Sequence, residues 1–361
     1  MYIGKIINGK EACISNQCPN QSIVISGISG SGKSERIKDI EKHLITKGAT
    51  LVVIDFDDTH PFLEGDNINW ISAVKDRLEI VLLKPEMLYK SKEQLTNYIG
   101  NLAESLLTGT VYGDRQLGIL RDALRNALKR RANYGSDFEA IIGELELMGT
   151  ERAMGVKEKL WPVTSCNIFD PHGKKLVPGA INIISFSGIN SQAKKAVVEI
   201  LMRVFWLGIR AQYTEGREYG FKIPRDLVFV VDEFQNLGLQ KTSTVFEMLR
   251  EGRKYRVSLI LATQTLVPFS TQTMAAISQA AVRLYFRPAT CDVMKIAKQI
   301  NPNNVEKTNA MLKNLRIGEA IAVGDFEIAK RLMTRPIITY TDFAESETRK
   351  MEKLRKNGGR N

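Results

Sequence analysis

Residues 22–34 read Ser22-Ile23-Val24-Ile25-Ser26-Gly27-Ile28-Ser29-Gly30-Ser31-Gly32-Lys33-Ser34. A β-branched run that passes straight into glycines predicts a buried parallel strand. From Gly27 to Ser34 the chain matches G-x-x-x-x-G-K-[ST] at every fixed position. Glycines there let backbone N–H groups curl inward onto phosphate oxygens. The helix expected over 33–46 adds a favourable dipole at its first turn. The candidate nucleotide cradle is therefore Gly27, Ile28, Ser29, Gly30, Ser31, Gly32, Lys33 and Ser34. Lys33 is expected to reach the β and γ phosphates of ATP, and Ser34 to ligate Mg²⁺.

Outward from this loop, LVVID (51–55) reads as a second buried strand. Strand, glycine-rich loop, helix and strand make a βαβ unit, so the core is α/β with a right-handed crossover. The same pattern returns in INIISF (181–186), a helix over 191–213, LVFVV (227–231), VSLILA (257–262) and VRLYF (282–286). Residues 319–323 and 336–340 read as late strands, and 1–21 as a strand or hairpin leading in. Between 60 and 160 helical periodicity takes over. Leu117, Leu120, Leu124 and Leu128 form one apolar stripe, while Arg121, Arg125, Lys129, Arg130 and Arg131 lie mostly off it. The expected organisation is 1–59 for the N-terminal hairpin and first half of the core. Residues 60–160 form a helical insertion, 161–345 the second half of the core, and 346–361 a basic tail.

Two further elements carry chemistry. Five apolar residues precede Asp232-Glu233, which places that pair at a strand's carboxyl edge beside the phosphate loop. Asp232 is expected in the Mg²⁺ shell and Glu233 as the general base that polarises the attacking water. A small-molecule kinase does not need the second carboxylate, whereas a hydrolysing motor does. Thr263-Gln264 ends the next strand, where an amide can sense the γ-phosphate. Between those strands, Arg250, Arg253, Lys254 and Arg256 cluster. Arg253 is the candidate arginine finger for a neighbouring subunit's nucleotide, with Arg256 second; a basic helix end is the plain alternative. Arg283 and Arg287 are weaker sensor candidates. Asp55, Asp57 and Asp58 end the second strand, where either a supporting role or a simple turn would fit. His43, His60 and His172 show no ligand pairing by spacing. Trp70, Trp161 and Trp206 read as core or interface.

Composition narrows the class. The 361 residues carry 51 Lys+Arg against 40 Asp+Glu, a net +11, which suits a polyanionic partner without requiring one. With 43% hydrophobic residues the chain can build a large core, which excludes disorder and disulfide-stapled miniproteins. No apolar run approaches about 18 residues, so no membrane span is expected, and the start lacks a secretory h-region. Cys13, Cys18, Cys166 and Cys291 are scattered, offer no zinc site and point to the reducing cytoplasm.

The motifs GISGSGKS (27–34), VVIDFDD (52–58), IISFSGIN (183–190), VFVVDEFQNL (228–237), REGRKYRVSLILATQ (250–264) and LRIGEAIAVGDF (315–326) together resemble the HerA/FtsK superfamily of ring ATPases. Order and spacing are most similar to HerA-type proteins, over about residues 20–340. The resemblance implies an α/β, RecA-like ASCE phosphate-loop ATPase core with a mostly parallel central sheet and an α-helical insertion. It also implies a homohexamer that pumps double-stranded DNA, using ATP and Mg²⁺. Motif by motif, Lys33 and Ser34 would bind nucleotide, Glu233 would be catalytic, Gln264 the sensor and Arg253 the finger supplied in trans. Only 26 residues precede Gly27, fewer than the N-terminal β-barrel typical of HerA proteins needs. That barrel often docks partners, which in this family include a nuclease or a phage-defence effector; the chain shows no nuclease motif of its own.

The leading expectation is thus a cytoplasmic DNA-translocating ring ATPase, with the segments 235–242 and 267–273 as pore loops by position. The alternatives are a type IV secretion-type ATPase that energises macromolecule transfer, and an ATP-gated assembly scaffold for an effector protein.

Overall fold

A computed structural model describes residues 1–341 apart from 16–17, 19, 57, 59, 61–66, 84–90, 109, 216–226, 238–242, 267–268 and 334. The proposed basic tail, Asp57 and parts of both expected pore loops lie outside the described residues.

Strands β1 (Tyr2–Lys5) and β2 (Glu11–Ile14) form the N-terminal hairpin, and β3 (Ile23–Ser26) leads into helix α1 (Lys33–Thr46). Next come β4 (Thr50–Asp55), β5 (Ile68–Ser72) and β6 (Leu78–Glu79). Four helices follow: α2 (Lys92–Leu106), α3 (Asp114–Lys129), α4 (Asp137–Leu147) and α5 (Glu151–Thr164). Then come β7 (Phe169–Asp170), β8 (Ile181–Ser185), α6 (Ser191–Glu215), β9 (Leu227–Val231), α7 (Thr244–Glu251) and β10 (Val257–Thr263). The last part holds α8 (Thr271–Ile277), β11 (Val282–Tyr285), α9 (Val293–Ile300) and α10 (Val305–Lys313). It ends with β12 (Glu319–Gly324), β13 (Phe326–Ile328), β14 (Arg331–Met333) and β15 (Ile337–Tyr340).

The described residues fall into two compact units. The first draws on Met1–Asn69, Val177–Ile183 and Pro224–Asn361 and carries the sheet. Its strand order is β14-β13-β2-β1-β15-β12-β11-β3-β10-β9-β4, continued by β8 and β5. The strands β11, β3, β10, β9 and β4 are parallel neighbours, and β12, β15, β1, β2, β13 and β14 extend the sheet antiparallel. The central runs are apolar without alternation because both faces are covered: every residue of β3, β4 and β9 is buried. Register brings Ser26 level with Thr263 on one side and Tyr285 on the other, and Val231 level with Leu261 and Ile54. Five carboxyl ends therefore share one edge. The short strands β13 and β14 were not foreseen.

The second unit draws on Trp70–Leu176 and Ile184–Ile223 and is mostly helical. Its helices start where side-chain caps stop the backbone from continuing: Ser91 accepts from Gln94 N–H, Ser136 from Glu139 N–H and Thr150 from Ala153 N–H. Helix α3 starts after Gly113 and buries Leu117, Leu120, Leu124 and Leu128, the expected stripe. Its arginines pair locally, Arg121 with Glu104 (3.0 Å) and Arg125 with Asp122 (3.0 Å). In the segment after α3, Arg130 pairs with Glu144 (3.3 Å) and Arg131 with Asp137. The boundaries differ from the expected ones in two ways. Strands β5 and β6 precede the helices within 60–91, and α6 groups with α2 and α5 rather than with the sheet.

One buried cation locks the phosphate-loop helix to the sheet. Arg36 is fully buried on α1 and donates to Ile3 C=O (2.6 Å), Thr339 Oγ1 (3.0 Å), Thr341 Oγ1 (3.1 Å) and Gly318 C=O (3.2 Å). Its guanidinium also lies 5.3 Å from the centre of the Phe286 ring. Arg36→Met would strand those buried acceptors. It should lower unfolding free energy by about 3 kcal/mol or more, read as a reduced urea midpoint at unchanged m-value.

Candidate active site

The phosphate loop is pinned from both flanks. Gly27 N–H donates to Thr263 C=O at the end of β10 (3.2 Å), and Ile28 N–H to Arg287 C=O just past β11 (3.0 Å). Ser31 Oγ bridges back to Ile28 C=O (2.7 Å), and Gly318 N–H donates to Ser31 C=O (2.9 Å). Two glycines have no substitute here. A Cβ on Gly27 would sit 2.6 Å from Phe286 Cβ. Gly32, at φ +101°, would bring its Cβ within 2.7 Å of Gly318 N.

Lys33 opens α1, is buried and donates to Ile28 C=O (3.1 Å). Burial lowers its pKa, against the pull of the Asp232 and Glu233 carboxylates. Across the edge, Asp232 ends the β9 run and accepts from Glu233 N–H (2.9 Å). Burial raises the Asp232 carboxyl above its ordinary value, while Lys33 opposes the rise.

Glu233 adopts the left-handed conformation, φ +57°, which only a residue held by its surroundings keeps. Its carboxylate is clamped by two amides: Gln264 Nε2 donates to Oε1, and Asn236 Nδ2 donates to Oε2 (3.4 Å). The structure thus brings Lys33, Asp232, Glu233 and Gln264 together at one edge. Asn236 was not singled out from the sequence. It lies three residues after Glu233 in the same 3₁₀ turn, and that spacing was the available signal.

Just past Gln264, Asp292 receives Thr265 Oγ1 (2.8 Å) and Leu266 N–H (3.1 Å), tying this segment to the start of α9. Ser34 occupies the second position of α1.

Arg253 stands elsewhere. It lies exposed in the turn Gly252–Tyr255, which enters β10 at its amino end. The seven residues of β10 put about 20 Å between that end and Gln264. Arg253 and Arg256 instead line a cavity of about 340 Å³ with Tyr2, His43 and Lys47. Neither arginine serves the site of its own chain. Arg283 sits mid-strand opposite Val24, away from the edge, whereas Arg287 is exposed beside the loop.

His60 corrects the reading that the histidines lack a pairing. Its Nε2 lies 3.0 Å from Glu41 Oε2, both side chains being almost wholly buried, and its N–H donates to Asp55 Oδ2 (3.3 Å). Burial disfavours the charged imidazole, but Glu41, Asp55 and Asp232 outweigh it and the pKa is raised.

A nucleotide and its cation fit these residues. The glycine contacts leave backbone rather than side chain at the loop, and Lys33, Ser34 and Asp232 supply one cation, one hydroxyl and one acid. Among the described residues no three His, Cys, Asp or Glu side chains gather into a metal cage. Mg²⁺ takes phosphate and water oxygens beside one or two protein ligands, and a hydroxyl and a carboxylate are ligands of that kind. When bound, the ion neutralises charge on the β and γ phosphates.

Five parallel strands in this order, with a phosphate loop after β3, an amide after β10 and an acid pair after β9, define a RecA-like phosphate-loop ATPase. The chain belongs to the family described as Helicase HerA, central domain, whose model matches residues 1–205. Among solved structures, VirB4 of Thermoanaerobacter pseudethanolicus is 18% identical, with 96% of this chain and 97% of that chain covered and a TM-score of 0.69. The bacterial conjugative coupling protein TrwB is 12% identical, with 94% and 88% covered and a TM-score of 0.64. A second TrwB structure, in complex with ADP and Mg²⁺, is 13% identical over 89% and 85%, with a TM-score of 0.63. At these identities the likeness is one of fold. No curated protein matches the chain. No helix among the described residues is long and apolar enough to cross a membrane.

The buried Glu41–His60 pair yields a stability test. His60→Leu leaves an uncompensated carboxylate and should cost about 3–5 kcal/mol. Replacing both residues with Leu should cost much less, a non-additivity visible in thermal unfolding of the two variants.

Proposed function

We propose that this chain is a ring motor that couples ATP hydrolysis to movement along double-stranded DNA. The observation that carries the proposal is the clamp on Glu233. One carboxylate oxygen is held by Gln264, at the end of the neighbouring strand, and the other by Asn236. In this reading Glu233 accepts the proton of the attacking water. Gln264 holds that carboxylate until the γ-phosphate is engaged. Lys33 balances charge on the phosphates, while Ser34 and Asp232 complete the Mg²⁺ shell. The segment tied to Asp292 then carries the change toward residues 269–273.

Arg253 gives the proposal its assembly. About 20 Å of strand separates it from its own Glu233, so a finger role requires a neighbouring copy, and a homohexamer supplies one. DNA contacts would be made to the backbone and would be salt-sensitive. A partner nuclease or defence effector would supply any cutting.

A type IV secretion-type ATPase is the second reading, favoured by the fold shared with VirB4 over nearly the full length of both chains. The two readings separate on one assay. ATP turnover is measured with and without linear double-stranded DNA, at low and raised salt, with Glu233→Gln as the blank. The motor reading expects stimulation that fades with salt; turnover indifferent to DNA would overturn it in favour of the second.

Two variants test the roles. Glu233→Gln should bind ATP and assemble normally while losing at least 100-fold in turnover, about the scale of a lost general base. Mixing Arg253→Ala with Glu233→Gln subunits should restore part of the activity that neither has alone; no rescue at any ratio would remove the trans finger.

A further inference from the structure

The phosphate loop has two unlike flanks. On one side β10 and β9 bring Gln264, Glu233 and Asp232, the groups suited to the reacting end of a triphosphate. On the other side lie the end of β11 and the turn that enters β12, and there the residues change character. Arg287, Arg316 and Ile317 are all exposed, Ile317 at 71%. Neither arginine has a carboxylate partner among the described residues.

A single exposed isoleucine is ordinary on a protein surface. This one is held unusually firmly, and to the phosphate loop itself. Its neighbour Gly318 donates N–H to Ser31 C=O (2.9 Å) and lies against Gly32 so closely that no Cβ fits between them. The Gly318 carbonyl is gripped by Arg36 Nη2 (3.2 Å), Thr341 Oγ1 (3.0 Å) and Thr341 N–H (3.1 Å). On the other side of Ile317, Arg316 N–H is fixed by Glu319 Oε2 (2.9 Å). Arg287 is fixed the same way, because its carbonyl accepts from Ile28 N–H in the loop (3.0 Å). An apolar side chain and two guanidinium groups are thus carried by backbone that cannot shift without moving the phosphate loop.

A triphosphate whose reacting end faces Glu233 must leave its nucleoside on this opposite flank. We propose that Ile317, flanked by Arg316 and Arg287, is the platform for the base and ribose of the bound nucleotide. The assignment rests on the reading that residues 27–34 hold the phosphates. Ile317 offers apolar contact, and the guanidinium planes offer stacking on a base. A platform of this kind recognises a flat aromatic ligand. It discriminates weakly between purines, because strong discrimination needs a buried hydrogen-bonding group that the wrong base would leave unpaired.

The test compares ligands that do and do not carry a base. Dissociation constants of the full chain for ATP, GTP and inorganic tripolyphosphate, each with Mg²⁺, are measured by titration calorimetry. The wild type should bind ATP and GTP within about threefold of each other. Ile317→Ala should weaken both by about tenfold, the scale expected for one apolar contact, and leave tripolyphosphate within twofold. Ile317→Met should restore nucleotide affinity, since an exposed apolar side chain of similar size suffices. Because Ile317 is exposed, the variants are expected to fold, and unchanged thermal unfolding confirms it. Unchanged ATP affinity in Ile317→Ala would overturn the platform while leaving the phosphate site intact. So would equal weakening of ATP and tripolyphosphate, which would make the turn a mere buttress of the loop. A wild type that binds neither ATP nor tripolyphosphate would overturn the phosphate-site reading itself, and the platform with it.

Discussion

The constraint on which everything else rests is the parallel pairing of five buried strands with their carboxyl ends level. Because β3 hydrogen-bonds to β10 on one side and β11 on the other, the chain leaving Ser26 emerges between two other strand ends. Those ends supply the carbonyls of Thr263 and Arg287 that pin the loop. Shifting the register of either pairing by one residue would reverse the face of every side chain in that strand. It would also remove one of the two pins. Helix α1 is held by the same frame, through Arg36 and the carbonyls and hydroxyls it reaches on β1, β15 and the turn before β12.

The two flanks of the loop divide the chemistry. Toward β9 the surroundings are charged: a buried lysine, an acid whose pKa burial raises, and a glutamate kept at positive φ by its neighbours. Backbone strain of this kind, about 1–3 kcal/mol, persists where surrounding bonds over-determine the geometry. The two amides on the Glu233 carboxylate are such bonds. Toward β12 the exposed residues are Arg287, Arg316 and Ile317, carried by backbone that is hydrogen-bonded to the loop or to the turn beside it. Polar preorganisation at one end and a shape-reading surface at the other is an economical division for a ligand with a charged tail and a flat apolar head.

Much of this was legible in the chain because it is encoded locally. A phosphate loop needs its glycines, lysine and hydroxyl within eight residues, so strand, loop and helix could be read directly from 22–46. The runs before Asp232 and Gln264 were legible for the same reason, since a doubly covered parallel strand must be apolar throughout. The late strands β12 and β15 were found, whereas β13 and β14, three residues each, carry too short a pattern to register. Helix α6 groups with α2 and α5, and a helix buried on several sides shows no single apolar face to say which layer it joins.

The side-chain pairings were the least legible part. His60 meets Glu41 across 19 positions, and Arg36 meets Thr339 across 303. Spacing carries no information about either. Arg253 could be placed between two strands from sequence, but only the folded sheet puts it at the amino edge, a full strand length from Glu233. The sequence by itself determined the phosphate loop, the strand-end acids and the parallel core strands of an α/β fold, but not that six antiparallel pairings among the described residues make the whole sheet mixed rather than mostly parallel. Local backbone chemistry and hydrophobic period act over a few residues, and they suffice for those features. Which groups face one another at the aligned edge, what clamps Glu233, and where Arg253 and Ile317 stand were decided only by the tertiary structure. Hydrogen bonds and burial between distant segments exist only once the strands have chosen their order and register.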